Sequence, residues 1–284
     1  MNVQVIQVPY DSGNSRLRMG RGVEHFVEYG LLQVLQADGH QVSVESIESQ
    51  TKFRAEIQTQ FELYRSLAER VAVARQENMF PLILSGNCGA TLGVIGGTNK
   101  KRLGLIWLDA HGDFNTPETT TSGFLDGMGL AIVAGLCWKP LALSILNFSP
   151  IVGENILHIG GRDFDSQERK LFEQAGVLVI DETAIRQTNI RDALEQAIRH
   201  LSFKTEEAHL HIDLDVLDSK ENPSNEYAPE GGLSVEQVLE AIDLIKEKLK
   251  LTSASIAAYD PECDPEQKTL NAGFKLMRSI LKIY

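Results

Sequence analysis

Apolar residues in this chain follow two spacings that take turns. Short runs read as buried or half-buried strands: Val3 to Val8, Gln41 to Ile47, Leu82-Ile83-Leu84, Leu105 to Leu108, Ile156 to Ile159, Val177 to Ile180, His209 to Asp215 and Ser255 to Tyr259. Between them apolar positions recur at helical spacing: Val23 to Ala37, Arg54 to Gln76, a Gly-rich segment ending near Gly96, Met128 to Leu136, Ser166 to Ala175, Arg191 to Leu201, a helix capped by Ser234 and running to Leu249, and Gly273 to Leu281. About eight strands alternating with helices predict an α/β protein with three α/β/α layers, a parallel sheet and right-handed crossovers. No linker, repeat or low-complexity stretch divides residues 1–284, so a single domain is expected.

Two strands break the apolar pattern with acids. Leu105-Ile106-Trp107-Leu108 runs into Asp109, His111 and Asp113 at every second position, and an extended chain would put all three on one face. From Ala208 to Leu217 the sequence alternates strictly, with Leu210, Ile212, Leu214 and Val216 on one face and His209, His211, Asp213 and Asp215 on the other. In open α/β sheets ligands lie beyond the carboxyl ends of strands, where both clusters stand. Carboxylates converging at the end of a buried strand need a cation or a partner, and none is supplied nearby. These acids and imidazoles exceed what one tetrahedral zinc requires; carboxylate-rich N/O ligation suits a pair of harder ions such as Mn²⁺, which activate a shared water.

Composition narrows the partners. The net charge of -12 and pI near 5.1 argue against nucleic acid and anionic membranes and suit a small cationic substrate. No apolar run approaches the ~20 residues that span a bilayer, and the first residues lack the pattern of a signal peptide, so a cytoplasmic protein is expected. Three scattered cysteines, Cys88, Cys137 and Cys263, predict reduced thiols.

The blocks Asp109-Ala110-His111-Gly112-Asp113 with Asn115, Thr119-Thr120-Thr121-Ser122-Gly123, and Asp213-Leu214-Asp215 resemble the arginase/agmatinase/formiminoglutamase (ureohydrolase) family. Pro9-Tyr10-Asp11, Gly161-Arg162-Asp163 and Gly231-Gly232-Leu233 extend the likeness along the chain. The resemblance implies a dinuclear manganese centre, hydrolysis of a guanidino or amidino carbon, and trimers or hexamers. By position it makes Asp109 and Asp213 bridging ligands. Asp113 completes one ion and His111 and Asp215 the other, and Asp113 also passes a proton to the leaving amine. Asn115, Ser122 and Asp165 match substrate-contacting positions; turn formation and capping are the alternative reading of such polar loop residues.

Three positions depart from the family pattern. Cys88 stands where a histidine ligand is usual; as a thiolate ligand it shifts preference toward Zn²⁺ or Fe²⁺, and the alternative is an inert buried cysteine. In this it resembles the hydroxyarginine amidinohydrolases. Asp126 occupies the place of a proton-shuttling histidine, which makes it a candidate catalytic carboxyl. Ala258 replaces a glutamate that binds guanidinium, for which Asp126, Glu262 or Asp264 would have to compensate. Two other functions follow from these departures: a relative without catalysis that binds or regulates, or a metal hydrolase of a neutral amide.

Overall fold

The computed structural model describes residues 1–51, 55–100 and 102–282. Eight strands form its central sheet: β1 (Asn2–Val8), β2 (Gln41–Ser46), β3 (Phe80–Ser85), β4 (Leu103–Leu108), β5 (Ile156–Ile159), β6 (Leu178–Ile180), β7 (Glu207–Asp213) and β8 (Lys250–Ala257). They are all parallel, in the order β2-β1-β3-β8-β7-β4-β5-β6. The two last strands are thus laid between β3 and β4, and the chain reverses direction across the sheet at that point. A crevice at the carboxyl ends of these four strands is the expected place for a ligand.

The central strands are apolar on both faces because helices cover both. One core joins Val5, Leu84, Ile106 and Ile212 to the helices Ile190–Lys204, Val235–Lys248 and Lys268–Leu281. The other joins Ile83, Leu105 and Trp107 to Glu56–Gln76 and Thr91–Thr98. The three-layer α/β/α architecture and the parallel sheet are therefore as the periodicity predicts. Among the described residues no helix is long and apolar enough to cross a membrane, and all three cysteines are free thiols.

Several boundaries differ from expectation. The helix read over Val23 to Ala37 is two, Met19–Glu28 and Leu31–Ala37, because Gly30 takes a left-handed φ of 98° that interrupts the hydrogen-bond ladder. The strand read over Ser255 to Tyr259 lies earlier, at Lys250–Ala257; its polar start, unlike the apolar run, gave no strand signal. Met128 to Leu136 resolves into a 3₁₀ turn, Asp126–Met128, and a short helix, Gly129–Val133. The expected start of the long helix at Arg54 lies outside the described residues; the helix is described as Glu56–Gln76.

Candidate metal centre

Each acidic strand ends in the same local device. β4 stops at Leu108, and Asp109 then accepts the His111 N–H on Oδ1 at 2.7 Å, which turns the chain. On the adjacent β7, Asp213 accepts the Asp215 N–H on Oδ1 at 2.8 Å and opens a 3₁₀ turn over Leu214–Val216. Asp113 sits at a left-handed φ of 49°, its carbonyl accepting the N–H groups of Leu130 and Ala131 at 3.0 and 3.1 Å. This corrects the expectation of an extended chain through Asp109, His111 and Asp113, and of a strand reaching Asp215. Alternation ends with the strands, and turns built by the first acid of each motif bring the rest around.

Those turns close on one another. His111 Nδ1 lies 3.1 Å from Asp215 Oδ2, the Ala110 N–H donates to Asp215 Oδ1 at 3.1 Å, and Cys88 Sγ donates to Asp213 Oδ2 at 3.0 Å. Cys88 begins a 3₁₀ turn directly beyond β3. Two sets of donor atoms result, each with its atoms within 4.8 Å of one another: Cys88, Asp109 and His211, and Asp109, His111 and Asp215. Asp109 belongs to both. All of these side chains are buried except His111, which is partly exposed to a cavity.

The charge is not balanced. Burial, reinforced by the neighbouring carboxylates, pushes the Asp109 carboxyl up to about 6 and those of Asp113 and Asp213 well above the usual range. Burial alone would lower His111, yet Asp215 and Asp109 hold its imidazolium far above the ordinary value; in return His111 pulls Asp215 down to about 2 against the effect of burial. One imidazolium therefore faces four carboxylates, a deficit that divalent cations would fill. The donor chemistry fits them: oxygen and imidazole at one position, with sulfur added at the other.

Beneath the acids runs a buried polar ladder that the spacing did not nominate. His209 Nδ1 meets Ser253 Oγ at 2.9 Å, His209 Nε2 meets Ser255 Oγ at 3.1 Å, and Ser255 Oγ meets His211 Nδ1 at 2.8 Å. Thr91 Oγ1 reaches the same Nδ1 at 3.2 Å, and Trp107 stacks on the ring with centroids 3.9 Å apart while donating its Nε1–H to Asp109 Oδ2 at 2.9 Å. His211 Nε2 is buried with no hydrogen-bond partner among the described residues, a position costing about 1–3 kcal/mol if nothing fills it. The signal in the sequence was the placement of His211 on the face of Asp213, two residues earlier.

Asp126 lines the cavity, but its carboxylate also ties down the Cys88 turn. It accepts the N–H groups of Cys88 and Gly89 and the amide of Asn87, each at 2.9 Å. A Cβ at residue 89 would lie 2.3 Å from the Tyr64 hydroxyl, so only glycine lets the turn approach this closely. Burial nonetheless pushes Asp126 up to about 6. Asp264, by contrast, is turned to the N-terminus of the last helix, where it accepts the Lys268 and Leu270 N–H groups at 2.8 and 2.9 Å.

The cavity above the acids has a volume of about 200 Å³. Among the described residues its wall contains seven carboxylic side chains, from Asp113 to Asp215, and no lysine or arginine. Phe124 and Tyr227, with rings 5.6 Å apart, supply apolar surface, and Ala258 lines the wall at a φ of 61°. Asn115 and Asp165 also line it and are joined at 2.9 Å through Asn115 Nδ2 and Asp165 Oδ2. Ser122 is not brought to the wall; it is exposed in the loop, where its Oγ accepts the Phe124 N–H at 3.2 Å. Arg162 anchors loops, donating to the carbonyls of Asp215 and Pro229 at 2.8 and 3.0 Å.

An α/β/α sheet whose central strand ends deliver two donor sets sharing one aspartate defines the class: a parallel α/β/α scaffold with a candidate metal centre at its carboxyl edge. The Arginase family model matches residues 1–282, and the chain belongs to that family. It is 30% identical to an arginase of Bacillus caldovelox, over 98% of this chain and 97% of that one, and 31% identical to an arginase of Bacillus subtilis over the same shares. The crystal structure of arginase from Bacillus cereus superposes with a TM-score of 0.91 at 29% identity, covering 100% of this chain and 99% of the other. Family membership supports a ureohydrolase-type hydrolase of amidino C–N bonds with a binuclear metal centre.

Proposed function

We propose that the protein hydrolyses a linear C–N bond in a small cationic amidine or guanidine, releasing an amine and urea or its analogue. The observation that carries this reading is the sharing of Asp109 between the two donor sets. Asp109, Asp213, His111, Asp215, Cys88 and Asp113 are the residues that would hold two divalent ions. Manganese suits the oxygen-rich side, and the Cys88 sulfur favours Zn²⁺ or Fe²⁺ on its own. Such ions supply Lewis acidity that makes water nucleophilic near neutral pH.

The chain's own residues do the rest. Asp113 faces the cavity from the buried end, and its raised affinity for a proton suits a carboxyl that takes one from water and returns it to the departing nitrogen. The carboxylic wall attracts a cation, and Phe124 with Tyr227 flank its apolar stem. Asn115 and Asp165, which line the cavity, would hold a polar end of the substrate, whereas Ser122, exposed in its loop, would touch only a ligand projecting beyond the cavity. With Ala258 in the wall there is room for a group larger than plain guanidinium, such as an N-hydroxyguanidine.

Urea or hydroxyurea release from arginine, hydroxyarginine, agmatine, guanidinobutyrate and formiminoglutamate, measured with Mn²⁺ and with Zn²⁺ alongside metal content per chain, tests the proposal. Turnover of at least one guanidino or amidino substrate with two ions bound is expected. Two bound ions without turnover across the panel, or failure to bind any, would overturn it.

A further inference from the structure

We propose that His211 is a metal ligand, donating Nε2 to the ion held by Cys88 and Asp109. This deepens the binuclear reading above and rests on it. The two nitrogens of this ring have been given different surroundings. Nδ1 is held by two hydroxyls, Ser255 Oγ at 2.8 Å and Thr91 Oγ1 at 3.2 Å, while Nε2 is buried and has no partner among the described residues. A ring nitrogen of His211 lies within 4.8 Å of donor atoms of both Cys88 and Asp109, and Nε2 is the one left free.

The scaffold fixes the ring in that orientation. Trp107, His211 and Ser255 are register neighbours on β4, β7 and β8, so the indole, the imidazole and the hydroxyl lie side by side across three strands. The indole stacks on the imidazole at 3.9 Å and, two residues before Asp109, holds that carboxylate too. A hydrogen bond to one imidazole nitrogen that leaves the other bare is how ligating histidines are oriented and their tautomer selected. Ser255 Oγ also touches His209 Nε2, which extends the support behind the ligand to a second buried ring. Flipping the ring would give up both hydroxyl contacts at Nδ1.

The consequence is an unequal pair of positions. Cys88 with His211 offers sulfur and nitrogen, the ligand set that prefers Zn²⁺ or Co²⁺; Asp215 with His111 offers oxygen and nitrogen, which Mn²⁺ tolerates better. His211→Asn keeps an amide near the Nδ1 position for Ser255 and Thr91 but removes Nε2. Metal content and chelator-competition titrations with Zn²⁺ and Co²⁺, together with the visible spectrum of the Co²⁺ form, compare it with the unaltered protein. We expect two ions in the unaltered chain, and in the variant a loss of order 100-fold in affinity at the thiolate position with a shifted thiolate-to-cobalt band.

An unchanged spectrum and both affinities within about twofold would overturn the proposal and leave His211 as a packing residue. If the variant does not fold, X-ray absorption of the unaltered protein with one equivalent of Zn²⁺ decides: sulfur and imidazole together are expected, and either one without the other refutes it. Failure of the unaltered protein to take up any divalent ion would sink the binuclear reading as well, which separates the two failures.

Discussion

Removing the Asp126 carboxylate separates two roles that the sequence left open for it. Three buried donors, Asn87 Nδ2 and the N–H groups of Cys88 and Gly89, converge on it at 2.9 Å. Asp126→Ala leaves the Cys88 and Gly89 N–H groups without an acceptor at about 1–3 kcal/mol each, and takes from Asn87 Nδ2 one of its two acceptors, Ser12 Oγ at 3.2 Å remaining. The variant also escapes a cost the native protein carries: raising the carboxyl from 3.8 to about 6 amounts to about 3 kcal/mol at neutral pH. The balance is a loss of about 3 kcal/mol for Asp126→Ala, and about 1–2 kcal/mol for Asp126→Asn, whose oxygen keeps part of the network while its amide faces a donor. Urea denaturation of metal-free and metal-loaded protein measures this, and a metal titration on the same samples follows the Cys88 position, whose turn is released. The metal-loaded form should lose more than the metal-free form. Stability within about 0.5 kcal/mol of the native protein, with full metal content and abolished turnover, would refute the reasoning and make Asp126 a proton-transfer group.

Other outcomes follow from the same geometry. Burial pushes His158 down to about 4 and His209 to about 3, so each contributes stability that is complete above pH 6.5 and disappears as pH falls through its folded value. At 1.36 kcal/mol per unit this is of order 3–5 kcal/mol apiece, and His209→Asn should flatten the acid limb of a stability-against-pH curve. In metal-free protein Asp109 titrates near 6, above its unfolded value, so stability falls as pH rises from about 4 to 6; divalent ions should therefore raise the melting temperature more at pH 7.5 than at pH 5.5. Ala258→Glu adds a carboxylate to the wall without creating a new left-handed residue, and kcat/KM for arginine relative to hydroxyarginine should rise about tenfold, one charged hydrogen bond's worth. Ala258→Gly relieves the φ of 61° and should stabilise the chain by about 1 kcal/mol in thermal denaturation.

Fold and site were legible to different depths because they leave different marks on a sequence. Strands such as Leu103–Leu108, buried on both faces, are short continuous apolar runs between helical stretches. The acids after β4 and β7 were legible because several carboxylates at the end of such buried runs call for a counter-charge. What alternation could not give was the geometry past Leu108 and Asp213, where Asx turns and the left-handed Asp113 replace the pleat. His211 was placed on the right face but not weighed as a donor, because its distinction lies in a cross-strand fact, the occupation of Nδ1 by Ser255 and Thr91. Asp126 was marked by its position in a family pattern, and only the fold shows that its oxygens are engaged by the Cys88 turn.

The insertion of β7 and β8 between β3 and β4 also dictates when the protein can become a metalloprotein during synthesis. A nascent chain that has emerged as far as β6 has Cys88 and Asp109 just past the ends of β3 and β4, strands that are not neighbours in the sheet and whose facing edges are still open. Neither donor set is complete until residues 207–257 arrive with His211 and Asp215. Ion capture is therefore a closing event of biogenesis, and a truncation anywhere before β8 forfeits the centre together with the middle of the sheet.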